Sequence, residues 1–320
     1  MAALALAQYG SGAVITALLH PFGYAKVLMQ VGHEPLPAEI SKTFIFRKDV
    51  LVYPNIFRYM GHIRKVDGFF GLYRGVVPRV LAGTIGNIVQ YNIQDKVKIV
   101  DKKNKKRDEL GTKEEEEEFI PWLKQFAKET TQDTLGRCCG VIVSHPFHVI
   151  MVRCMVQFVG RETQYNSVLS SVKEIYHHDG VLGFFSGLVP RVLGEIIAIW
   201  VTSFLAKLLN KYFIQEKELK SYTSAACGLF VAHFTYPFTL VTNIMAVSGS
   251  GLAAGSPPYM PLYDSWFKCM ISLSEDGDLK RGANAFWRFS KSKHLPALTR
   301  YRSKPSTTTS YSRPSHHSFK

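Results

Sequence analysis

The sequence predicts an all-α membrane protein, a threefold helical repeat with five membrane spans and an incomplete third copy. Three observations carry this. A Pro-Phe pair recurs inside long apolar runs, as HPFGYAKVLMQ at 20–30, HPFHVIMVRCMVQ at 145–157 and TYPFTLVTNIM at 235–245. A fifteen-residue motif is duplicated at an offset of 112, as DGFFGLYRGVVPRVL at 67–81 and DGVLGFFSGLVPRVL at 179–193. After SEDGDLKRGANAFWR at 274–288 the third copy stops: Trp287 stands where Pro78 and Pro190 stand, and no apolar run follows.

The first span is residues 2–30, apolar up to Lys26 and long enough to cross a bilayer even when tilted. Its opening lacks the positive start of a secretory signal and the arginines of a mitochondrial presequence. Residues 79–99 form the second span, apolar but carrying Asn87, Gln90 and Asn92. The third, 134–158, holds Gly136 and Gly140 at a spacing that lets helices approach closely. Residues 191–213 and 222–247 supply the fourth and fifth. None is purely apolar, which suits a bundle with a polar interior. Pro21, Pro146 and Pro237 each remove a backbone donor and kink their helix.

Between the spans, 55–66, 166–178 and 263–276 have helical amphipathic spacing, with Val168, Val172, Ile175 and Tyr176 on one face. They read as short helices lying flat at the membrane surface. The Val-Pro-Arg after each Gly-rich turn opens the next helix, since proline is favoured at a helix start. The repeats occupy 1–99, 126–215 and 216–288, separated by a solvated charged linker, 100–125, and followed by a basic tail, 289–320.

Net charge is +14, and residues 288–320 hold eight Lys/Arg and no acid, which suits anionic headgroups or acidic partners. No zinc spacing, RNA-binding signature or helix-turn-helix pattern accompanies the charge, so nucleic acid is excluded. Five cysteines without a CxxC read as buried small hydrophobes. His145 and His148 lack a third ligand at metal spacing. GSGLAAG at 249–255 lacks the strand–helix setting of a dinucleotide loop. No triad, paired carboxylates or nucleophile elbow is present, so neither an enzyme nor a resident cofactor is expected.

The three proline-kinked helices, each followed by an amphipathic helix and a Gly-rich turn, resemble the mitochondrial carrier family over roughly residues 1–290. HPFHVI, QFVGRE, GFFSGLVPR, TYPF and AAGSPPYMPLY are similar to a divergent branch of it. Transporting carriers place an acid two residues after the proline and a cation five after it, forming an ionic gate. Here those positions are Gly23, His148 and Thr239, then Lys26, Met151 and Thr242, so no ionic gating network forms. Against the family's six helices, the sixth is missing, and the polar interior opens sideways to lipid.

The candidate groove residues are Lys26, Gln30, His148, Glu195, Tyr236, Thr239, Thr242 and Asn243. Glu195 has a second reading, a local pair with Arg191 one turn before it. A polar groove open to lipid thins the barrier for a polar segment crossing the bilayer. The resemblance implies an outer-mitochondrial-membrane insertase for α-helical, especially tail-anchored, clients, which also docks a pro-apoptotic BH3 protein. An inner-membrane solute carrier, or a receptor or scaffold with lipid scrambling, are the alternatives. The Lys/Arg bias between the two faces places the tail on the cytosolic side.

Overall fold

The computed structural model describes residues 2–42, 49–108, 119–212 and 217–289. The basic stretch from 290 to 320 and the middle of the charged linker, 109–118, lie outside the described residues.

Each repeat opens on its Pro-Phe helix. In the first repeat the helix is broken: α1 (Ala2–Leu18) and α2 (His20–Gln30) meet at 58°, with Pro21 in the first turn of α2. In the others the proline sits inside one continuous helix, Pro146 in α5 (Phe119–Val156) and Pro237 in α8 (Lys217–Val247). Three like kinks were expected; the first alone is a full break. Only there does a glycine, Gly23, follow the proline by two residues, so two helix-weakening residues fall in one turn.

The amphipathic segments form α3 (Ile56–Gly71), α6 (Val168–Asp179) and α9 (Trp266–Glu275). Each begins at a side-chain cap: Asn55, Ser167 and Ser265 accept from the backbone N–H three residues on. Such a cap satisfies a donor with no partner inside the helix. One face buries Ile63, Ile175 or Cys269, and the opposite face exposes Phe57, Leu169 or Phe267.

The duplicated motif is explained by the turns that follow. Gly75, Gly187 and Gly282 have φ of 79°, 78° and 75°, a region other residues rarely adopt. Each also presses on the next repeat. A Cβ on Gly75 would stand 3.0 Å from the Met151 carbonyl of α5. On Gly187 it would stand 2.6 Å from that of Thr242 in α8, and on Gly282 3.0 Å from Gln30 Cγ in α2. The third turn therefore returns to the first repeat, and the backbone N–H of Ile56 also donates to Ala285 O at 2.9 Å.

The residue before each proline holds its own repeat's turn. His20 Nε2 donates to Arg74 O at 2.8 Å, His145 Nε2 to Ser186 O at 3.0 Å, and Tyr236 Oη to Arg281 O at 2.6 Å. The accepting carbonyl belongs each time to the residue just before the left-handed glycine. The bend at the proline thus carries a polar side chain under the turn. In the second repeat, Arg153 of α5, fully buried, adds an ion pair to Asp179 at 2.6 Å and a bond to Ala246 O at 2.9 Å.

After the turns come α4 (Val76–Asp108) and α7 (Leu188–Tyr212). Pro78 and Pro190 are the third residues of these helices rather than the first, still within the turn whose N–H groups need no helical partner. The charged stretch expected as a linker from residue 100 begins as a continuation of α4 to Asp108, where Lys and Arg are good helix formers. Gly140 of α5 lies against α4, where a Cβ would come 2.6 Å from Gly86 O, the close approach its small neighbours predict.

Among the described residues, three helical stretches are long and apolar enough to span a membrane: Trp122–Val156, Val181–Tyr212 and Tyr222–Val247. The bent pair of α1 and α2 makes a fourth if counted as one span. α4 is long enough at 33 residues but too polar to qualify on composition. The buried core gathers Tyr24, Leu28, Ile150, Met155, Leu240 and Ile244 from the segments after the three prolines, under α3, α6 and α9. The second candidate span, which includes α7, is by contrast only 11% buried and mostly half-exposed, with Val189, Ile197, Val201 and Phe204 facing outward.

Residues 36–54 with 287–289 form a separate small unit, which corrects the all-α expectation. Strands β1 (Glu39–Lys42), β2 (Asp49–Tyr53) and β3 (Arg288–Phe289) pair antiparallel in that order. The alternation in DVLVY suits a strand, and Arg288 ties the sheet by donating to Pro54 O at 3.1 Å.

Candidate functional site: a polar cleft among the kinked helices

Two adjoining cavities of about 740 and 430 Å³ lie between the long helices and share Arg137, His148, Arg191 and Thr239. The larger is lined by α4, α5, α7 and α8, the smaller by α1, α2, α4, α5, α7 and α8. Lys26, Gln30, His148, Thr239 and Asn243 line the smaller; Glu195 and Thr242 line the larger. Tyr236 lines neither cavity; its ring lies 5.3 Å from Lys26 Nζ. The Thr242 hydroxyl is spent on its own helix, donating to Phe238 O at 2.8 Å.

Four of these residues are one hydrogen-bonded chain. Gln30 Nε2 donates to Tyr236 Oη at 3.0 Å, and Asn243 Nδ2 donates to Gln30 Oε1 at 2.7 Å. The Asn243 oxygen is thereby free to accept from His148 Nε2 at 3.1 Å. Arg281 Nε closes the set on the Gln30 carbonyl at 2.9 Å. No ionic ring forms at the positions after the prolines, as the sequence predicts. A latch of neutral side chains ties α2, α5 and α8 instead. Such a network is strong when buried and every member is satisfied.

Glu195 does not pair with Arg191, which corrects the local-pair reading. Arg137 of α5 takes it in a two-pronged bond, Nε to Oε2 at 3.0 Å and Nη2 to Oε1 at 2.9 Å. The planar guanidinium matches both carboxylate oxygens. Arg191 instead directs Nη1 at His145 Nδ1, 3.2 Å away.

Arg79, Arg137 and Arg191 are the cleft-lining cations missed in the sequence. Arg79 and Arg191 stand in the duplicated Val-Pro-Arg, where they read as punctuation; Arg137 is a lone cation between Gly136 and Gly140. A cation inside an otherwise apolar run was the available signal. Arg79 reaches the cleft because residue 23 is glycine: a Cβ there would overlap its guanidinium. Among the described residues, no group of three or more His, Cys, Asp or Glu side chains is arranged to hold a metal.

The family model for "Mitochondrial carrier protein" matches residues 1–105 and 125–217. The chain is 42% identical to "Mitochondrial carrier homolog 2" of Mus musculus over 289 residues, 89% of this chain and 94% of that protein. It is 38% identical to "Mitochondrial carrier homolog 1" of the same organism, over 87% of this chain and 75% of that one. "Mitochondrial thiamine pyrophosphate carrier 1" of Neurospora crassa is 23% identical over 263 residues, 79% of this chain and 74% of that protein.

Proposed function

Because the chain belongs to the mitochondrial carrier protein family, a family of mitochondrial membrane proteins, we propose that it is an outer-membrane insertase for tail-anchored and other α-helical clients. The carrying observation is a polar cleft whose ionic gate has been replaced by a neutral latch. Alternating access needs a closure that forms and breaks with each cycle. A latch with no charge to screen or exchange suits a cleft permanently shut at one end.

In this reading α4 is a fifth span, tolerated despite its polarity because it faces the cleft, and five spans make up the bundle. The cleft then opens to lipid between α1 and α8. Both rims are apolar and exposed, Val14, Ile15 and Leu18 on one side and Leu229, Phe230 and Phe234 on the other. A client helix slides along these rims while its short polar end crosses over Lys26, Arg79 and Arg191. Polar lining lowers the cost of moving that end through hydrocarbon. The chain performs no enzymatic chemistry and needs no cofactor. Docking of a pro-apoptotic BH3 protein belongs to the same proposal.

Solute transport is the competing reading, supported by family membership and by relatives named for solutes such as thiamine pyrophosphate. One preparation separates the two. Proteoliposomes holding the purified chain should insert a tail-anchored client into a protease-protected form and take up no labelled solute. Uptake without insertion would reject the insertase reading.

A further inference from the structure

We infer that α1 is a lid on the side of the cleft, hinged at Leu19, and that its closed position lies against α8. The joint is weak by construction. α1 meets α2 at 58°, and Pro21 has no N–H to give the Ala17 carbonyl one turn back. The Leu19 N–H donates to Ile15 O at 3.0 Å and the Gly23 N–H to Leu19 O at 3.3 Å, the longer bond lying past the proline. Leu19 itself is exposed and offers α2 no side-chain cap. One arm of the hinge is fixed: α2 buries Tyr24, Leu28 and Met29 completely. The other arm, α1, packs on α4 and α2, while α8 packs on α7 and α5.

The exposed faces of α1 and α8 match when counted back from their prolines. Three, seven and eleven residues before Pro21 stand Leu18, Val14 and Gly10; the same steps before Pro237 give Phe234, Phe230 and Ala226. All six are exposed, and steps of four keep each trio on one helical face. The latch of Gln30, Tyr236 and Asn243 ties α2 beside α8, so the two counts start from one level. A Cβ on Gly10 would meet nothing within 4 Å, so this face of α1 has room for a partner. Helices in lipid associate through close packing, and the bulk of Phe230 and Phe234 fits opposite glycine and valine. Closure also has a driving force. An open mouth leaves polar lining, Lys26 and Thr239 among it, beside hydrocarbon, which costs energy until something covers it. α1 covers the mouth when no client does, and an entering client helix takes its place on α8. The lid rests on the reading above that clients enter between α1 and α8.

The test uses the full chain in proteoliposomes, with Val14→Cys/Phe230→Cys as a matched pair. Leu18→Cys/Ala226→Cys, offset by eight residues or about 12 Å of helix, is the mismatched control. Oxidation with copper phenanthroline should join 14 to 230 within one chain, identified on the cross-linked peptide, and leave the mismatched pair open. Should the matched variant fold poorly, Leu18→Cys/Phe234→Cys offers a second matched level. Adding Pro21→Ala restores the missing donor, stiffens the joint and should slow the joining several-fold; an unchanged rate would overturn Leu19 as the hinge. Client insertion is then compared before and after reduction on the same vesicles. The joined chain should insert about tenfold less, the factor that about 1.4 kcal/mol represents, and reduction should restore it. No joining in either matched pair, equal joining in the mismatched one, or full insertion by the joined chain would each overturn the lid. Joining between two chains would give the α8 face to a second copy and overturn it too. Matched joining with no insertion even after reduction would reject the insertase reading and leave the lid standing.

Discussion

Replacing Gln30 with methionine tests the latch directly. The side chain is 2% exposed, so a change of similar volume alters bonding more than packing. It would delete the bond to Tyr236 and the one received from Asn243. Tyr236 keeps its bond to Arg281, but the Asn243 amide is left as a buried donor without an acceptor. An orphaned buried polar group costs about 1–3 kcal/mol, and interhelical bonds in membranes fall toward the lower end. The expected loss is therefore about 1 kcal/mol, or about 3 °C of melting temperature in detergent for a chain of this size. In a cycle with Asn243→Leu, the two single losses should not add, leaving a coupling of about 1 kcal/mol. Because no charge is involved, both numbers should be the same at low and high salt. A Gln30→Met protein melting within about 1 °C of wild type, or strictly additive losses, would refute the latch.

Gly187→Ala should cost upward of about 1 kcal/mol and leave little folded protein in detergent extracts, since it meets both a left-handed φ and the Thr242 carbonyl. The control Gly83→Ala, with open space at its Cβ, should express normally. Glu195→Arg should lower the melting temperature by setting two guanidinium groups face to face, and adding Arg137→Glu should restore much of it; failure of the double swap to rescue would reject the pairing. His33, outside the spans, has its pKa lowered to about 4 by burial, with the charges of His62 and Arg161 adding to the effect. The unfolded chain therefore takes up a proton near pH 6.5 that the fold resists. Stability should fall as pH drops from 6.5 toward 4, by at most about 1.4 kcal/mol per pH unit for this group. His33→Gln should flatten that limb of a pH–melting curve.

The long helices, the amphipathic segments and the motif boundaries were legible because each follows from local periodicity, caps and glycine. Ser167 and Gly180 mark the ends of α6 in the sequence itself. Contacts between repeats were not legible. Arg137 finds Glu195 across 58 residues, and nothing near either residue announces the other. Lys26, Gln30, His148, Thr239 and Thr242 stand two, five or nine residues after a proline, a spacing that found the face but not the bonding. Tyr236 shows the limit: its position marked it as polar lining, whereas it lines neither cavity and its hydroxyl is committed to Gln30 and Arg281. The break at Leu19 and the small sheet escaped for a related reason, since each depends on which weak helix signal wins locally.

The return of the third turn onto α2 bears on how the chain is made. Asn243 meets Gln30 over 213 residues of sequence, and Arg281 meets it over 251. During synthesis the first repeat therefore emerges with its glutamine unmatched and waits for nearly the whole chain before it is satisfied. Contacts so distant in sequence form late and slow assembly. A truncated or stalled product would expose polar groups inside the bilayer, a visible mark for degradation. Only when the last turn is complete does Gln30 gain all of its partners.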